Sequence, residues 1–331
     1  MSKTAKIIDT KEEKKEVKAE KAEVSKKSPI APNDSVKITL AWAEIEPAYK
    51  KTVNQFAKNV KAEGFRVGKA PFAIVEQNVG FEKIVDQVLR GLIPEAYEKQ
   101  IKKENKKPIT SPEFSPISLE KGKDWVLEAF FSPIPEVKLG DYKKTTKKGK
   151  EEAAKFVSER NEEIKKEAEA HKKGEHGDDH EHAHTHEPLG ENETKEINLQ
   201  HIFKGLVDAF APAIGEILLR QETQTEYERL VKQLEQYKIS AEDYLKRRQI
   251  TIDQLSQELA GTVLSRLQLD FILAEISKAE KLAVTDDEVK AELIKVTNLE
   301  MRGQLEKNQD YLNQIKATLL QKKTLDLLLS L

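Results

Sequence analysis

From Thr251 onward, Leu255, Leu259, Val263, Leu267, Phe271 and Ala274 recur every three or four positions. That period lays them along one face of a long helix. Thr251 with Gln254 three residues later is the reciprocal capping pattern that satisfies two orphan N–H groups at a helix start. A helix with one apolar face is marginal alone and must cover that face against a partner. The same grammar recurs nearby. Ser240 precedes Ala-Glu-Asp, and Thr285 with Glu288 opens Val289, Leu293 and Val296. Two further stripes are Tyr227, Leu230, Val231, Leu234, Tyr237 and Tyr311, Leu312, Ile315, Leu319, Leu320. The apolar registers are too irregular for one continuous coiled coil. Residues 196–331 are therefore expected to form an all-α, multi-helix domain, a bundle or a pair of arms, with the apolar end Asp326–Leu331 packed into its core rather than anchored in a membrane, a client-binding surface being the alternative.

Composition agrees with long solvated helices and modest cores: 34% of the 331 residues are charged and only 6% aromatic. Lysine plus arginine (56) nearly balance aspartate plus glutamate (58), so the net charge is −2 and any attraction to RNA must be local. No cysteine is present, which excludes disulfides, thiol nucleophiles and thiolate metal sites. Neither a secretory signal nor an apolar run long enough for a membrane span is seen, so a cytoplasmic protein is expected. Residues 1–33 mix Lys and Glu with almost nothing to bury and are expected as a charged, disordered tail.

Residues 34–145 read differently. Val36–Ala43 alternates like a strand, and Pro47 suits the first turn of a helix carrying Ala48, Val53, Phe56, Ala57 and Val60 on one face and stopping at Gly64. Pro71 starts a short helix ending at Gly80. A longer helix from Phe81 to about Glu104 carries Ile84, Val85, Val88, Leu89, Leu92 and Ile93. Two strands joined by a Glu-Lys-Gly-Lys turn follow. The order β-α-α-α-β-β makes an α+β amino-terminal domain. Residues 146–195 are expected as a linker, helical at first and then His-rich.

Between two of these helices lies Glu63-Gly-Phe-Arg-Val-Gly-Lys-Ala-Pro-Phe-Ala-Ile74. Gly64 and Gly68 allow positive φ, and Pro71 fixes entry into the next helix. Phe65, Arg66 and Lys69 are thus expected on a tight turn, where cations reach RNA phosphate or acidic side chains and Phe enters a shallow apolar pocket. Lys58 and Lys61, placed on the preceding helix, extend a local basic patch.

The stretch Gly64–Pro71 resembles the ribosome-docking signature of the trigger factor family of bacterial chaperones, Gly-Phe-Arg-x-Gly-Lys-x-Pro between two helices, at every specified position. The resemblance spans about residues 34–145 and continues more weakly over 195–331, through APAIGEILLRQE, EQYKISAEDYL and KLAVTDDEVKAEL. It implies an ATP-independent chaperone whose Gly64, Phe65, Arg66, Gly68, Lys69 and Pro71 dock at exit-site protein and rRNA, while a helical domain with arms shields nascent polypeptides. It implies no cofactor, no DNA and no membrane; a homodimer is left open. The family usually carries an FKBP-like prolyl isomerase domain between these parts. The 50 residues from 146 to 195 lack the strands, glycines and aromatics such a domain needs, so isomerase activity is not carried over, although it stands as an alternative at family level.

Six of the seven histidines fall between His171 and His186. Neutral imidazoles at His176, His180, His182, His184 and His186 could chelate Zn²⁺ or Ni²⁺ weakly on a solvated linker, which leaves open a non-ribosomal, metal-responsive helical chaperone. No phosphate loop, nucleophile elbow or H-E-x-x-H motif is present, so no catalytic residue is assigned.

Overall fold

Val36, Ile38 and Leu40 are buried while Lys37 and Thr39 between them are exposed, the alternation a one-sided sheet requires. The computed structural model describes residues 28–173, 187–295 and 299–331. After a two-residue strand β1 (Ile30–Ala31) come β2 (Asp34–Leu40), α1 (Trp42–Ala57), α2 (Phe72–Val79), α3 (Phe81–Lys103), β3 (Glu113–Ser118) and β4 (Trp125–Phe131). The sheet is antiparallel in the order β2-β4-β3, with Asp34 opposite Phe131 and Leu40 opposite Trp125. Gly122, at φ 83°, turns the β3–β4 connection. Helices α1 to α3 pack on one sheet face, where Ile45, Tyr49, Val53, Val75, Ile84 and Val88 meet Ile38, Leu127 and Phe131.

The expected α+β head is thus present, with local corrections. The first strand ends at Leu40, and Trp42 and Ala43 are helical. Pro47 consequently lies inside α1 rather than in its first turn. It is exposed, on the side away from the core, where a proline's missing N–H is least costly. Starting the helix earlier brings Ile45 and Tyr49 into the core. The helix also ends at Ala57, well before Gly64, so Lys58 and Lys61 follow it instead of riding on it.

The body is helical. α4 (Tyr142–Lys173) and α5 (Glu191–Phe210) lie antiparallel, with Thr145 beside Gly205, Gly149 against Ile202 and Asn161 accepting from the Leu189 N–H. The boundaries expected at 145 and 195 both fall inside these helices. After β5 (Ile214–Gly215), α6 (Glu216–Gln236), α7 (Ala241–Arg248) and α8 (Ile252–Ala279) form one arm. α9 (Asp286–Ile294), α10 (Leu299–Leu305) and α11 (Gln309–Ser330) form the second. Ser240, Thr251 and Thr285 each accept the N–H three residues on, as their sequence patterns require, and Thr251 and Thr285 complete capping boxes. The apolar carboxyl-terminal turn enters the body core: Leu328 is fully buried with Ile202, Leu206, Ile272 and Ile276.

Head and body meet through a strand pair and a set of polar contacts centred on the buried Ser132. Ile30 and Ala31, read from composition as tail, pair in parallel with Ile214 and Gly215. The Asn33 side-chain oxygen accepts from the Ile217 N–H (3.0 Å) and from the Ser132 hydroxyl (3.2 Å), and Ser132 Oγ accepts from the Leu218 N–H (3.1 Å). At the rim, Arg220 grips both carboxylate oxygens of Glu113 (2.7 and 2.6 Å).

Candidate functional site: a displayed loop and an apolar groove

The loop between α1 and α2 is anchored at both ends. Ala62 is buried, and Val60 and Ala70 pack against the head core. Between the anchors the backbone makes two successive turns: the Phe65 N–H donates to the Ala62 carbonyl (3.1 Å) and the Lys69 N–H to the Arg66 carbonyl (2.9 Å). Gly64 (φ 79°) and Gly68 (φ 83°) each take the third turn position, where a type II turn needs positive φ. A Cβ at either would meet nothing within 4 Å, so conformation and not space demands glycine there. Pro71, at φ −59°, accepts from the N–H groups of Ile74 and Val75 and starts α2.

This backbone pushes side chains outward. Phe65 is 43% exposed and Val67 47%, with Phe72 beside them, a concentration of apolar surface in a loop flanked by charge. Lys58, Lys61, Arg66 and Lys69 are exposed and have no ion-pair partner among the described residues. All six residues of the sequence signature therefore lie on one short double turn: Gly64 and Gly68 shape it, Pro71 ends it, and Phe65, Arg66 and Lys69 face solvent. The five histidines His176, His180, His182, His184 and His186 lie outside the described residues.

A concave surface lies in the first arm. α6 and α8 run antiparallel and leave between them a groove of about 480 Å³, lined chiefly by Leu219, Thr223, Tyr227, Ile252, Leu259 and Ala260. Of the stripe expected to be core, only Leu234 is buried; Tyr237 at its end is 70% exposed. Ile252, Ile294 and Met301 add further exposed apolar groups along the two arms. Sequence periodicity could locate these stripes but could not show that they are incompletely covered.

An α+β head displaying a preshaped apolar and cationic loop, joined to helical arms with an open apolar groove, defines a modular binding protein. Family models carry this further. Residues 21–170 match the bacterial trigger factor protein, and residues 189–330 match the bacterial trigger factor protein carboxyl terminus. The chain belongs to the trigger factor family. Among curated relatives, the trigger factor of Streptococcus sanguinis (strain SK36) is 39% identical over 105 residues, covering 32% of this chain and 25% of the relative. That of Streptococcus pyogenes serotype M5 (strain Manfredo) is 37% identical over 108 residues, 33% of this chain and 25% of the relative. The aligned part thus spans a quarter of each relative's length. A solved structure described as "Promiscuous Substrate Recognition in Folding and Assembly Activities of the Trigger Factor Chaperone" aligns over 90% of this chain and 97% of its own, with a TM-score of 0.54 and 14% identity, which is a likeness of fold. The family models leave residues 171–188 between them unmatched, and no separate isomerase domain is detected there.

Proposed function

We propose that this chain is an ATP-independent chaperone that docks at the ribosomal exit site and shields emerging polypeptides. The double turn Ala62–Lys69 carries the reading. It holds Phe65, Arg66 and Lys69 in solvent on a backbone fixed by two hydrogen bonds, which is the cost a chain bears to present a preformed contact. Arg66 and Lys69 would face rRNA phosphate or acidic side chains of an exit-site protein, and Phe65 a shallow apolar pocket. The α6–α8 groove and the dispersed apolar groups of the arms would supply weak, repeated contacts to unfolded chains, so that release needs no nucleotide. A chaperone docked at the ribosome would act in the cytoplasm. No helix among the described residues is long and apolar enough to cross a membrane.

Prolyl isomerisation is the alternative reading at family level; between head and arms the described residues form the α4–α5 helical pair. The test is co-sedimentation of the full chain with purified ribosomes. Joint replacement of Phe65, Arg66 and Lys69 by Ala is expected to abolish it while the circular dichroism spectrum stays unchanged; undiminished co-sedimentation would sink the reading.

A further inference from the structure

Glu76 sits on α2, little more than one turn beyond Pro71, and its carboxylate is the meeting point of three elements. The Tyr49 hydroxyl on α1 donates to Glu76 Oε1 at 2.6 Å. Lys121, in the turn joining β3 to β4, donates to the same oxygen and also lies over the Tyr49 ring, 5.7 Å from its centroid. Burial alone would raise the Glu76 pKa, but hydrogen bonds from Lys121 and Tyr49 and the lysine charge hold it below the ordinary carboxylate value. The group is therefore an anion at neutral pH, and the Tyr49 phenol, desolvated and bound to that anion, is held well above its ordinary pKa.

The position of this cluster matters more than its strength. α1 feeds the displayed loop and α2 receives it, so Glu76 ties together the two helices from which the loop is hung. α2 has only eight residues and no side-chain N-cap, too short to be stable by itself. Its own buried side chains are Val75 and Val79, both apolar and therefore without directional bonds. A charged hydrogen bond to the turn joining β3 to β4 adds a directional contact.

We propose that Glu76 is the positioning residue of the docking loop: bridging Tyr49 and Lys121, it fixes α2 and with it the double turn that presents Phe65, Arg66 and Lys69. This rests on the docking reading above. None of the three clamp residues needs to touch the ribosome. Their effect is to remove in advance the disorder that docking would otherwise have to remove.

The test uses the full chain and purified ribosomes, comparing Glu76→Gln, Lys121→Met and the conservative Lys121→Arg with an Arg66→Ala/Lys69→Ala pair. Glu76→Gln and Lys121→Met are each expected to weaken binding by roughly 5- to 30-fold, and Lys121→Arg to keep it near the parent value. Hydrogen exchange at the Phe65 and Lys69 amides, which close the two turns, should accelerate by about tenfold, while Leu127 and Phe131 in the sheet stay protected. The salt dependence of binding should keep its slope in the clamp variants, because Arg66 and Lys69 still make their contacts, and should flatten in the Arg66→Ala/Lys69→Ala pair. Parent-like binding in both Glu76→Gln and Lys121→Met, with the loop pair impaired, would overturn the clamp and leave docking standing. Equal acceleration at Leu127 and Phe131 would also overturn it, by reducing Glu76 to a general stabiliser. Undiminished binding in the loop pair as well would overturn the docking reading and the clamp together.

Discussion

Replacing Gly215 by Ala should loosen the joint between head and body, and the size of the effect follows from one side chain. Gly215 has φ −62° and ψ 139°, a conformation any residue adopts, so the backbone does not require glycine. Space does: a Cβ there would stand 2.3 Å from Ser132 Oγ and 2.7 Å from Ser132 Cβ. Ser132 is fully buried and cannot rotate away without abandoning the Leu218 N–H and Asn33. Overpacking costs about 1–3 kcal/mol, and a buried N–H left without a partner another 1–3. Reduced freedom of the unfolded chain returns only about 0.4–1. The net loss is about 1–5 kcal/mol. Both tryptophans, Trp42 and Trp125, lie in the head, so their fluorescence follows the head while far-ultraviolet circular dichroism follows mainly the helices of the body. In urea the two signals are expected to separate for Gly215→Ala. In a Ser132→Gly background, where both offending atoms are gone, Gly215→Ala should cost almost nothing more. Gly261→Ala, in α8 with nothing within 4 Å of the added Cβ, should instead stabilise by about 0.5–1 kcal/mol. A parent-like Gly215→Ala, or the same cost with and without the Ser132 side chain, would refute the steric account.

At the loop, Arg66→Ala and Lys69→Ala should each lower the slope of log affinity against log salt by about 0.7–0.9 if each neutralises one phosphate, whereas Phe65→Ala should weaken ribosome binding equally at all salt concentrations. In the arm, Ala260→Arg puts bulk and charge into the α6–α8 groove; suppression of aggregation of an unfolded client should fall several-fold while ribosome co-sedimentation is unchanged, and equal suppression would remove the groove from the client surface. In acid, Lys143 and Tyr142 hold Glu280 below its ordinary 4.5, Lys316 holds Asp286 below 3.8, and Lys323 with Thr285 holds Glu288 below 4.5. Because these folded values are depressed, their stabilisation is present above the unfolded values and is lost as pH falls through the folded ones. Melting temperature of the body should therefore hold from pH 7 to about 5 and drop below about 4.5, and a melting temperature that stays level down to pH 3 would contradict these pairs.

Local chemistry was legible in the sequence, and distant chemistry was not. The caps at Ser240, Thr251 and Thr285 and the turns at Gly64 and Gly68 depend on residues within four positions of one another, so pattern alone identifies them. The placement of Pro47 failed for an instructive reason. Proline favours a first helical turn but tolerates a later, exposed position, and assuming the commoner case hid Ile45 and Tyr49, and through Tyr49 the Glu76 clamp. The joint could not be read at all, since Asn33, Ser132 and Gly215 are ordinary polar and small residues until the fold brings them together. Ile30 and Ala31 were lost in a charged stretch for the same reason. The groove shows the opposite failure: apolar periodicity reveals which face wants a partner, and only the packing of α6 on α8 reveals how much of it goes without one.

Arg220 joins these features. Its guanidinium grips Glu113 at the start of β3, on the head, and its side chain also lines the groove between α6 and α8, on the arm. The groove thus begins where the head ends. Behind that exposed ion pair, worth little by itself, the Asn33 contacts are half-buried and the Leu218–Ser132 bond is buried, and all are directional hydrogen bonds that sliding of head against arm would leave unmade. The loop lies on the head and the groove at the head's edge, so on the proposed function anchoring the first would settle where the second is presented. On the proposed function that geometry would have a purpose: many weak contacts to a client act only when the client's local concentration is high, and a joint that ties the groove to the docking element would keep it where that concentration is sustained.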